Sequence, residues 1–70
     1  MILIVNGTRR ETGSASLAEL WHEETADLNL ESPRGYAIAL NGAVVRRDRW
    51  LSTTLAEGDR VEIIRAMQGG

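Results

Sequence analysis

The chain has 70 residues, no cysteine, one histidine and a formal net charge of −2, which leaves room for one small domain and no disulfide or thiolate chemistry. His22 alone cannot build a structural zinc site, which needs several ligands, and the acidic balance argues against nucleic-acid binding. All eight basic residues are arginine, so a catalytic lysine, a Schiff base and internal lysine-linked modification are excluded as well.

Met1 to Val5 is a continuous β-branched run closed by Asn6-Gly7 and reads as a strand. Asn-Gly is a strong hairpin signal because both residues tolerate positive φ, so a second strand follows over about Thr8–Thr12. Its polar composition predicts an edge or half-exposed strand, and Gly13 ends it. Alternation sends Met1, Leu3 and Val5 inward and Ile2 and Ile4 to the other face. Ser16-Leu17-Ala18-Glu19 fits a capping box, in which the Ser16 hydroxyl accepts from the Glu19 amide and the Glu19 carboxylate reaches back. Leu17, Leu20 and Trp21 then fall on one face of a helix predicted over about 17–26, with Glu23, Glu24 and Asp27 on the wet side.

Residues 27–35, with Pro33 and Gly35, read as a connection. Tyr36–Leu40 and Ala43–Arg46 are strands joined by a second Asn-Gly at Asn41-Gly42. Residues 47–57 are mixed: a short turn of helix and a loop, with Trp50 and Leu55 dipping into the core. Gly58-Asp59 turns the chain into a last strand over Arg60–Met67, whose Val61 and Ile63 face in while Ile64 faces out. Five strands and one main helix make an α+β arrangement, a mixed sheet wrapped over the helix. The first and last strands are dense in aliphatic residues, which suits a buried central parallel pair.

Gly69-Gly70 follows that last strand. Two glycines add nothing to a core, so they are either an idle tail or a reactive one. Elsewhere the candidates are few. Ser52, Thr53 and Thr54 offer hydroxyls with no base beside them, and no pair of titratable groups reads as an acid–base constellation, so the chain is not expected to be an enzyme. Arg46, Arg47 and Arg49 form a basic cluster that reads as a solvated loop surface, with docking on an acidic face or a phosphate as the alternative. Ile2, Ile4, Ile64, Ala66 and Met67 are the candidate partner-binding surface, an aliphatic patch flanking the tail. No apolar run approaches the ~20 residues of a membrane span, and Met1–Val5 lacks the basic leader of a signal peptide. The cytoplasm is the expected location.

The stretches "ILIVNG", "AIALNGAVVRRDRW", "LAEGDRVEII" and the final "GG", in that order and at that spacing, resemble the ubiquitin-like β-grasp proteins. Within them the chain is similar to the bacterial sulfur carriers of thiamin biosynthesis, the ThiS family. It departs from them at Arg46, where proline often precedes the arginine, and at Gln68, where a small residue is frequent. The resemblance implies a β-grasp domain over residues 1–67, with about five strands on one main helix, and a flexible Gly-Gly tail over 68–70. It further implies that Gly70 is the reactive residue and that Gly69 and Gln68 thread the partner's active site. In that chemistry an adenylating enzyme of the ubiquitin-activating (ThiF) type uses ATP to adenylate the Gly70 carboxylate. A cysteine desulfurase route supplies sulfur for a thiocarboxylate, and a thiazole synthase of the ThiG type takes that sulfur into the thiazole ring. The carrier itself holds no cofactor or metal, is not expected at a membrane, and is expected to be monomeric when free. The same fold and tail also occur in sulfur carriers for molybdopterin, thiolated tRNA bases or cysteine, and in ubiquitin-like modifiers or interaction modules.

Overall fold

The computed structural model describes residues 1–26 and 35–65. Its sheet is built on the two Asn-Gly pairs. Asn6 and Gly7 have φ of 50° and 79°, and Asn41 and Gly42 have φ of 51° and 89°, the left-handed region that a two-residue hairpin turn requires. The first pair joins β1 (Ile2–Val5) to β2 (Thr8–Glu11), with Val5 opposite Thr8. The second joins β3 (Tyr36–Leu40) to β4 (Ala43–Val45), with Leu40 opposite Ala43. The last strand, β5 (Arg60–Arg65), enters between the hairpins and gives the order β2-β1-β5-β3-β4. It runs parallel to β1 and antiparallel to β3. The central parallel pair and the exposed edge position of β2 agree with the sequence pattern.

One helix, α1 (Leu17–Glu24), covers one face. The Ser16 hydroxyl accepts from the Glu19 amide at 3.2 Å, the first half of the capping box. The Glu19 carboxylate reaches back one residue further than the box requires, accepting from the Ala15 amide at 3.2 Å. The helix ends at Glu24 rather than near residue 26, and at its C-cap the Thr25 hydroxyl donates to the Trp21 carbonyl at 2.6 Å beside the regular helical bond from the Thr25 amide at 3.0 Å. Leu17, Leu20 and Trp21 are buried on its inner face. They meet Leu3 and Val5 of β1, Ile38 of β3 and Val61 of β5 in one core cluster. Each such side chain contributes about 1.5–3 kcal/mol by leaving water.

The stretch after β4 delivers Trp50 to that core, as the sequence suggested. A single 3₁₀ turn, Arg47–Arg49, reverses the chain. The Trp50 indole Nε1 then donates to the Val45 carbonyl at 2.8 Å, so the ring is buried without an unpaired donor. Trp21 lies between Trp50 and Tyr36, at ring-centroid distances of 5.4 and 5.0 Å.

Two expectations need correction. Met1 does not point into the core: it precedes β1 and is 42% exposed, its amine held by the Thr12 carbonyl at 2.9 Å. Glu23 and Glu24 are not simply a wet face. Glu23 accepts from the Thr12 and Ser14 hydroxyls at 2.9 and 3.2 Å, and the Glu24 side chain, 14% exposed, pairs with Arg10 at 3.4 Å. Arg10 lies opposite Leu3, on the helix side of β2, so the edge strand carries a charge inward to the helix. Both carboxylates tie the helix to β2 and to the turn that follows it.

Candidate functional site

The candidate site lies at the far end of β5, so the question is how that strand is held. At its start the bonding is dense. Asn41 Oδ1 accepts from the Arg60 amide at 2.9 Å while its Nδ2 donates to Asp59 at 3.1 Å, and the other Asp59 oxygen accepts from the Ala56 amide at 2.8 Å. Glu57 accepts from the Ile2 amide through both oxygens, at 3.0 and 3.1 Å. Val61 lies opposite Val5 on one side and Leu40 on the other, and is 1% exposed.

Beyond Val61 the strand β1 turns away at Asn6-Gly7. The Asn6 amide still donates to the Val61 carbonyl at 2.9 Å, and the Asn6 side chain replaces the missing strand by accepting from the Ile63 amide at 2.8 Å. From there, among the described residues, β5 is paired with β3 alone, Ile64 opposite Ala37 and Arg65 opposite Tyr36. Ile63 faces the core, half-buried, and Ile64 is 43% exposed on the outer face, as alternation required. Ala66, Met67, Gln68, Gly69 and Gly70 lie outside the described residues.

The aliphatic residues proposed to flank the tail are placed unevenly. Ile2 and Ile4 are half-buried on β1. Ile4 lies opposite Arg60, so Ile64 is four residues further along β5, about 13 Å at the usual strand rise. Arg60 and Glu62, both exposed, share the outer face between them. A shallow concavity of about 440 Å³ opens there, lined by Ile4, Asn6, Gly7, Arg60, Val61 and Glu62. The apolar neighbours of Ile64 come instead from the second hairpin: Ala37 beside it, then Ala39 paired with Val44, which is 69% exposed. The alternation of the second hairpin carries that signal.

Ser52 and Thr53 donate to the Arg49 carbonyl at 3.2 and 2.6 Å, which leaves neither hydroxyl set up as a nucleophile. His22 is exposed, as expected. Among the described residues no group of three or more His, Cys, Asp or Glu is placed to hold a metal, and no helix is long and apolar enough to cross a membrane.

A five-stranded mixed sheet folded over one helix, with a central parallel pair of first and last strands, is the ubiquitin-like β-grasp fold. The ThiS family profile matches residues 2–70, and the chain belongs to the ThiS family. Two solved structures share its fold over its whole length. One is the crystal structure of a thiamine biosynthesis protein (ThiS) from Geobacter metallireducens, at 33% identity and a TM-score of 0.74, with both chains covered completely. The other is the solution structure of a thiamine biosynthesis protein from the same organism, at 32% identity and a TM-score of 0.68, covering all of this chain and 88% of that one. No curated protein matches the chain.

Proposed function

We propose that this protein is a sulfur carrier of thiamin biosynthesis, a substrate of its partner enzymes and not itself a catalyst. The observation that carries the reading is the family match, which runs through Gly70, on a fold whose last described strand ends in two exposed residues, Ile64 and Arg65. A carboxylate resists nucleophilic attack because its charge is delocalised and oxide is a very poor leaving group. Adenylation removes both obstacles: the Gly70 carboxylate displaces pyrophosphate from ATP, and the acyl-adenylate then has AMP as its leaving group. A persulfide sulfur supplied by a cysteine desulfurase route attacks the carbonyl and expels AMP, and a thiol reductant then cleaves the resulting acyl disulfide to leave a C-terminal thiocarboxylate; sulfide attacking directly gives the same product without the reductant. The thiazole synthase is the acceptor. The adenylating partner orients carboxylate and ATP and stabilises the developing charge. Gly69 and Gln68 thread the partner's site, and glycine at the end admits a narrow path because it has no Cβ. ATP is the partner's cosubstrate, and the reading places the chain in the cytoplasm with those enzymes.

The test is the intact mass of the chain after incubation with ATP, a bacterial adenylating enzyme of the thiamin pathway and a sulfide source. The expected result is an ATP-dependent gain equal to the difference between sulfur and oxygen. An unchanged mass, with an enzyme that charges its own carrier in the same buffer, would contradict the reading. Covalent attachment to another protein instead would point to a modifier.

A further inference from the structure

The second hairpin carries the arginine cluster to a particular place. Val45 lies opposite Ile38, and Ile38 opposite Ile63. The residues after Val45, Arg46 and Arg47, therefore leave β4 at the end of the sheet where Tyr36 and Arg65 face each other. β4 and β5 flank β3, so their backbones are about 9–10 Å apart there. Arg49 closes the same 3₁₀ turn as Arg47. The end of β5, from which residues 66–70 continue, is thus bordered by Arg46, Arg47, Arg49 and Arg65, with Asp48 as the one carboxylate in the turn. These side chains are exposed, and the one ion pair in the turn among the described residues is a long one, Arg46 to Asp48 at 3.8 Å.

This concentration stands out in a chain whose formal charge is −2. The carboxylates of Glu57 and Asp59 sit just before the opposite end of β5, engaged with backbone amides. A molecule that is negative overall and, among its described residues, positive around one end is oriented by an acidic surface before contact. Beside the arginines, Val44 and Ile64 expose aliphatic surface on the outer face. Aliphatic contact edged by arginine is the usual make-up of a protein interface. Guanidinium groups pair well with carboxylates because their planar fork is weakly hydrated and can bind two oxygens at once.

We infer that Arg46, Arg47, Arg49 and Arg65 form a basic collar that docks on a carboxylate-bearing surface around the mouth of the adenylating enzyme's site. This rests on the sulfur-carrier reading. The occupant is a protein surface and not the nucleotide, because five extended residues beyond Arg65 span up to about 18 Å. With residues 66–70 threaded inward, the collar stays outside while Gly70 meets ATP.

The test compares the wild type with an Arg46→Glu, Arg47→Glu, Arg49→Glu variant as substrates of the same bacterial adenylating enzyme, following thiocarboxylate formation by intact mass. The three side chains are exposed and outside the core, so the tryptophan near-UV signal should be unchanged. At low salt kcat/KM should fall by about tenfold or more while kcat at saturation holds, and the gap should close toward 1 M salt, where charges are screened within about 3 Å. Equal kcat/KM at every salt concentration would overturn the collar while leaving the carrier reading intact. A wild type that is never charged would bring down both. Should the triple reversal unfold the chain, Arg46→Gln with Arg47→Gln removes charge without reversing it. That pair should lower kcat/KM about threefold with the same salt dependence, and no change there would equally overturn the collar.

Discussion

The two halves of β5 are built differently. From Arg60 to Val61 the strand is paired on both sides, its amides are taken by the Asn41 side chain and by neighbouring strands, and Val61 is sealed under the helix. From Ile64 to Arg65 it is paired on one side, and both residues are exposed. The boundary is the Asn6 side chain, which bonds the Ile63 amide where β1 has already turned away. The contrast teaches how a small domain can keep a stable core beside a strand end that is held on one side only among the described residues. Stability is concentrated at the start of the strand, so what happens beyond Arg65 need not be felt by the core.

Substitutions along the strand should grade accordingly. The largest effect belongs to Val61→Ala, which removes buried methyl groups and leaves a cavity beneath the helix. It should cost about 2 kcal/mol, lowering Tm by roughly 10 °C in a domain of this size. Equality with the outer half would erase the contrast. Asn6→Ala comes next, at about 1–2 kcal/mol, because it removes the acceptor of the Ile63 amide and places a Cβ-bearing residue without a compensating side chain at φ 50°. Asn6→Gly keeps the turn conformation and loses only the bond, so in urea titrations it should cost measurably less than Asn6→Ala. Equal losses would mean that the bond contributes everything and the turn conformation nothing. The smallest effect belongs to Ile64→Ala, at under about 0.5 kcal/mol, as expected of an exposed position. A loss as large as that of Val61→Ala would show that the outer half of β5 is part of the core after all.

Much of this was legible in the sequence because it is local. Each Asn-Gly pair announced its own hairpin, Ser16 and Glu19 marked the helix start, and the aliphatic density of the first and last strands placed them together in the centre. What was not legible depends on residues far apart in the chain. Asn6 bonds an amide 57 positions away, and nothing near Asn6 distinguishes that role from an ordinary turn residue. Glu23 and Glu24 look solvated on a helical wheel, and only the path of the chain through Thr12 and Ser14 gives them partners. The apolar surface beside Ile64 likewise needed the register of β3 against both neighbours, which sets Ala37, Ala39 and Val44 on the same face.

The most direct measurement of the central claim is made on a chain shortened by Gly70 alone, melted and then incubated with the adenylating enzyme, ATP and sulfide beside the full-length protein. The expected result is a Tm within about 2 °C of the full chain, since a single glycine has no side chain to bury, together with complete loss of the sulfur mass gain. A shortened chain that still gains sulfur, or one whose melting collapses, would contradict the separation of a stable domain from a reactive end.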